Sequence, residues 1–130
     1  MVLDTSAIVA AIAAEADAAR FRGAMLVAPS LAISAITLLE CRIVLQSRYG
    51  PPAVAEFDDM LAGAAIAIEP FNARMAQAAF DAFRRYGKGQ GHPARLNILD
   101  CAAYALAKIR GEPLLFKGDD FAATDIQSAV

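Results

Sequence analysis

Short apolar runs alternate with longer stretches in which apolar positions recur every three to four residues, the pattern of strands feeding helices. Residues 1–4 read as a first strand, followed by a helix over residues 7–14 and a second helical piece reaching Arg22. Residues 25–28 predict a second short strand, ended by Pro29. Ser30 then caps a long helix reaching Arg48, which Gly50 and the Pro51–Pro52 pair stop while starting the next, to about residue 61. Residues 65–68 predict a third strand, closed by Pro70, and residues 72–86 a helix with an apolar stripe through Met75, Ala79, Phe80 and Phe83.

Residues 87–93, with three glycines, read as a loop. Ile98, Leu99, Ala102, Leu106 and Ile109 then recur at helical spacing until Gly111 ends the helix. Residues 114–116 predict a fourth strand, followed by a turn over 118–120 and a last short strand near Ile126. Strands this short, each followed by a helix, predict an α/β fold: a three-layer α/β/α sandwich around a short central parallel sheet.

Composition narrows the class. The chain has 130 residues, 58% hydrophobic and 20% charged, which suits one packed domain spanning residues 1–130 and excludes intrinsic disorder. The longest uncharged stretch, residues 23–39, is broken by Pro29, Ser30, Ser34 and Thr37, so no membrane span is expected. The N-terminus lacks the basic region and cleavage site of a signal peptide. Cys41 and Cys101 read as buried free thiols, in keeping with a reducing cytoplasm. The net charge of −2 gives no global attraction to nucleic acid, but committing four of the 14 acids to a cation leaves 10 against 12 basic residues.

The placement of the acids is the informative feature. In open parallel sheets ligands bind beyond the carboxyl ends of the strands. Asp4 ends the first strand there, and Asp119 and Asp120 follow the fourth, so these positions meet if the two strands are neighbours. Asp100 lies in the first turn of the helix entering the fourth strand, and Glu40 lies mid-helix among Leu38, Leu39, Cys41, Ile43 and Val44. Each has a plainer explanation. Asp4-Thr5-Ser6 suits a helix cap, Asn97 and Asp100 a capping box, Glu40 a pair with Arg42 or Arg48, and Asp119-Asp120 a simple turn.

Four blocks in order resemble the PIN-domain nucleases, and within them the VapC-type toxins of bacterial toxin–antitoxin pairs. They are Met1-Val2-Leu3-Asp4-Thr5-Ser6-Ala7, Leu38-Leu39-Glu40, Leu96-Asn97-Ile98-Leu99-Asp100-Cys101-Ala102-Ala103-Tyr104-Ala105, and Leu114-Leu115-Phe116-Lys117-Gly118-Asp119-Asp120-Phe121 with Thr124-Asp125-Ile126 behind it. The resemblance spans essentially the whole chain and implies catalytic carboxylates at Asp4, Glu40 and Asp100. Many relatives place the last acid two residues before the Asp-Phe pair, where this chain has Gly118; Asp119 is the expected substitute, with Asp120 the alternative. The resemblance further implies hydrolysis of an RNA phosphodiester leaving 5′-phosphate and 3′-hydroxyl ends, a homodimer, and a cognate VapB-like antitoxin.

Gathered carboxylates repel one another unless a cation or a proton lies between them. An all-oxygen site without His or Cys selects Mg²⁺, with Mn²⁺ as a substitute. Asp4 and Asp100 are expected to bind the ion directly, with Glu40 and Asp119 orienting water or a second ion; Ser6 is expected either to bond a carboxylate or phosphate or to cap. His92 is the sole histidine, which excludes a two-histidine ribonuclease, and no GxxxxGK[ST] loop is present. Arg84, Arg85, Lys88 and Arg95, together with His92, cluster before Asp100 and are candidate contacts to the RNA backbone, or a solvated charge run.

Three other readings compete. A nuclease of the same fold acting in DNA or RNA processing needs the same acids. A receiver-like phosphoacceptor needs an Asp after the third strand, where this chain has only Ile68-Glu69-Pro70. A degenerate binding module is disfavoured by the complete set of acids.

Overall fold

The computed structural model describes residues 1–130. Its centre is a four-stranded, wholly parallel sheet of Val2–Leu3 (β1), Ala32–Ser34 (β2), Ala67–Glu69 (β3) and Leu114–Leu115 (β4), in the order β3-β2-β1-β4. The helices are Thr5–Ile12 (α1), Ala18–Val27 (α2), Ala35–Tyr49 (α3), Pro51–Gly63 (α4), Ala73–Tyr86 (α5) and Ile98–Arg110 (α6). This is the expected α/β sandwich.

Strand side chains alternate between two cores, as the pleat requires. Leu3, Ile33 and Leu115 face one layer with Ile8, Phe21, Leu45 and Phe57 from α1 to α4. Val2 and Leu114 face the other, with Met75, Tyr86, Tyr104 and Leu106 from α5 and α6. A sheet covered on both faces buries its strands on both sides, which is why the residues of β1, β2 and β4 are all buried and, Ser34 apart, apolar without alternation.

One expected strand was misplaced. Residues 25–28 are not a strand: Met25 to Val27 are the last turn of α2, with Leu26 85% and Val27 83% exposed. The second strand lies at Ala32–Ser34, inside the segment expected to open the long helix, and Ser34 rather than Ser30 stands at the N-cap of α3. Both runs are short and apolar, so periodicity does not separate them; burial does, since β2 sits between two neighbouring strands. The last short strand near Ile126 reduces to one parallel bridge, Leu114 to Ser128, at the outer side of β4.

The chain builds outward from β1 to β2 and β3, then returns to place β4 on the other side of β1. Val2 pairs with Leu114 and Leu3 with Leu115, so Asp4 and the segment after β4 leave the sheet side by side. Such a reversal of strand order opens a crevice at the carboxyl ends. α6 ends just before β4 and so runs back over the sheet, bringing its first turn, with Asp100, to that rim.

Candidate active site

The crevice is a cleft of about 360 Å³ whose lining includes Asp4, Glu40, Asp100 and Asp120. Asp4 is the N-cap of α1: its Oδ2 accepts the Ser6 backbone N–H at 3.0 Å and the Ser6 hydroxyl at 2.5 Å. The Ser6 hydroxyl oxygen in turn accepts the Lys117 N–H at 2.9 Å, tying the turn after β1 to the loop after β4. Asp100 stands at the third position of α6 in a reciprocal capping box: Asn97 Oδ1 accepts the Asp100 N–H at 2.8 Å, and Asp100 Oδ2 accepts the Asn97 N–H at 3.0 Å. The capping explanations are therefore correct in geometry, yet they do not compete with a site. A cap fixes the carboxylate at the helix start, and both helix starts open on one cleft.

Glu40 reaches the cleft from α3, where the Thr5 hydroxyl donates to its Oε1. It is not paired with Arg42, which instead binds Asp58 of α4 at 2.9 Å. Asp119 does not line the cleft; Asp120 does. Gly118, at φ +98°, turns the chain in the left-handed region, and Asp119 begins the following turn by accepting the Ala122 N–H. Asp120, exposed beside the buried Phe121, is the acid of the pair that lines the cleft, and its charge acts on Asp100.

Electrostatics bind these residues into one unit. Asp4, 5% exposed, is raised above the ordinary carboxylate range mainly by burial, with the Ser6 bonds opposing and the Glu40 charge adding to the rise. Glu40 is raised by burial, eased by the Thr5 hydrogen bond and pushed further by Asp100. Burial lifts Asp100 to about 6, the Asn97 N–H opposes this, and the charges of Asp4 and Asp120 add to it. Asp4, Glu40 and Asp100 are each raised in part by a neighbouring acid, the signature of carboxylates sharing a space that wants a cation or protons.

The donor set fits a hard divalent cation. Carboxylates and the Thr5 and Ser6 hydroxyls line the cleft, whereas both thiols are buried and do not. No three acidic, His or Cys side chains stand together closely enough to hold a metal ion; Mg²⁺ is commonly bound through only one or two carboxylates and its own waters.

The basic residues expected to contact RNA lie elsewhere. Arg84 stacks over Phe80, Arg85 donates to the Tyr86 hydroxyl at 2.8 Å, and none of Arg84, Arg85, Lys88 or Arg95 lines the cleft. The cations that do are Arg48 and Lys117, neither of them expected as an RNA contact; Arg48 entered only as a possible partner of Glu40, with which it forms no ion pair. Arg48 had a signal: with Glu40 and Val44 it follows the four-residue spacing of one helix face. Glu69 closes β3 in an ion pair with Arg110 at 2.8 Å, away from the cleft, which removes the receiver-like reading. No helix is long and apolar enough to cross a membrane.

Comparison with known proteins agrees with this architecture. A PIN domain model matches residues 1–127. The chain is 48% identical over 126 residues to Ribonuclease VapC of Mycolicibacterium smegmatis, covering 97% of each protein. It is 44% identical to Ribonuclease VapC28 of Mycobacterium tuberculosis, covering 100% of this chain and 98% of that one. Among solved structures, the M. tuberculosis VapC20 toxin, described as cleaving the sarcin–ricin loop, superposes with a TM-score of 0.78 at 18% identity, covering 96% of this chain and 95% of that one. The FitAcB structure from Neisseria gonorrhoeae gives 0.69 at 20% identity, covering 98% and 94%. At such identities the structures speak for the fold, and the sequence relatives for the family. The chain belongs to the PIN domain family and, within it, to the VapC proteins.

Proposed function

We propose that this chain is a divalent-cation-dependent endoribonuclease, the toxin of a toxin–antitoxin pair, cutting RNA phosphodiesters at Asp4, Glu40, Asp100 and Asp120. The observation that carries the reading is the convergence of these four acids, from four separate parts of the chain, on one cleft. The ribonuclease names of its relatives support the substrate class.

Mg²⁺, or Mn²⁺ in its place, would supply an activated water and neutralise charge on the attacked phosphate. Asp4 and Asp100, the two carboxylates fixed by helix starts, would hold the ion; Glu40 and Asp120 would hold water around it. The Thr5 hydroxyl keeps Glu40 aimed, and Ser6 keeps Asp4 in place while anchoring the loop that carries Asp120. In this reading residues 1–130 act as one nuclease domain in the cytoplasm, as a homodimer held inactive by a VapB-like antitoxin. The test is cleavage of RNA by the purified protein with Mg²⁺, Mn²⁺ or EDTA: cleavage restored by either ion is expected, and activity that survives EDTA would overturn the metal mechanism.

A further inference from the structure

The cleft carries five carboxylates, the four above and Glu15, and only two cations, Arg48 and Lys117. The cations differ in how far their charge is already answered. The Lys117 ammonium is held between Glu15 and Asp17, the latter at 3.1 Å. None of the molecule's ion pairs includes Arg48. Its neighbour Arg42, six residues earlier on the same helix, is engaged by Asp58. Arg48 is thus the one free guanidinium on the wall of an acidic cleft.

Its position along α3 defines what it can reach. Glu40, Val44 and Arg48 share one helix face, and eight residues of helix advance about 12 Å. Arg48 therefore enters the cleft from a backbone position two turns beyond Glu40, its side chain leaning back along the wall toward the carboxylates. An RNA strand brings a further negative charge at every nucleotide, and those flanking the cut enter a field dominated by acids. A guanidinium fork matches phosphate oxygens two at a time. A cation in the last turn of a helix also favours the helix dipole, but that explains its charge and not its place on the cleft wall.

We propose that Arg48 grips a phosphate flanking the one that is cut, so that the RNA strand runs from the carboxylates along the last two turns of α3. This rests on the ribonuclease reading above and assigns the strand's path within it. The strand passes the free cation rather than Lys117, whose ammonium already pairs with Glu15 and Asp17.

The experiment is binding of a fluorescently labelled single-stranded RNA oligonucleotide, across a salt series, to protein carrying Asp100→Asn so that nothing is cut. Adding Arg48→Ala is expected to weaken binding on the order of tenfold at low salt and to flatten the slope of log affinity against log salt by about 0.7. Arg48→Lys keeps the slope and loses only part of the affinity. In the active protein, Arg48→Ala raises KM and leaves kcat within about twofold. Lys88→Ala and Arg95→Ala, outside the cleft, have smaller effects. Unchanged affinity and slope in Arg48→Ala, with or without a lower unfolding midpoint, overturns the proposal, as does a larger effect at Lys88 or Arg95. If RNA is bound and cut yet Arg48→Ala matches its parent, only the strand path fails. If the unaltered protein neither binds nor cuts RNA, the ribonuclease reading fails and takes the assignment with it.

Discussion

Asp100→Asn should make the metal-free protein more stable at neutral pH. The substitution keeps the shape and the side-chain oxygen that accepts the Asn97 N–H, while removing a charge that burial and the neighbouring acids oppose. A carboxyl raised from 3.8 to about 6 in the folded state binds its proton more tightly there than in the unfolded chain. Its stabilising contribution is therefore fully present below 3.8 and lost as pH rises through about 6. At about 1.36 kcal/mol per tenfold change in proton affinity, the full loss is roughly 3 kcal/mol. The side chain is only partly buried and salt screens its neighbours, which leaves about 1–2 kcal/mol. Urea unfolding in EDTA at fixed protein concentration reads this as a midpoint about 1 M higher for the variant at pH 7.5. The gap closes as pH falls through 6 toward 4. A variant less stable than its parent by the same margin at both pH values would refute the reasoning and leave Asp100 as a helix cap alone.

The other predictions concern single contacts. Asp120→Asn should lower RNA cleavage by at least about a hundredfold while Asp119→Asn stays within about threefold; the reverse order in a single-turnover assay would place the fourth acid at Asp119. The Thr37 hydroxyl is buried without a hydrogen-bond partner, so Thr37→Val should stabilise the fold by about 1 kcal/mol. A lower urea midpoint for Thr37→Val would show that the hydroxyl is satisfied in solution.

Much of this site was legible because its acids are also structural signals. Asp4 and Asp100 stand where a strand ends or a helix begins, positions that sequence marks by apolar runs and capping residues. Glu40 was legible from its apolar flanks. What sequence alone left open or misplaced depended on three-dimensional contacts. Residues 25–28 and 32–34 are equally short and apolar, and only pairing between neighbouring strands buries the second set. The choice between Asp119 and Asp120 turns on the φ of Gly118. Arg84 and Arg85 form a basic run in sequence, but in the fold they stand outside the cleft beside Phe80, Tyr86 and Asp125. Arg48 read in sequence as a partner for Glu40, because its freedom is visible only once the partners of every other charge are known.

The central claim is that separate carboxylates make one cation site. Calorimetric titration of Mn²⁺ into the metal-free protein at pH 7.5, beside the Asp4→Asn/Asp100→Asn double variant, tests it most directly. Saturable binding to the unaltered protein, weakened at least about a hundredfold in the variant, is the result expected. Equal binding to both, or none to either, would contradict the account.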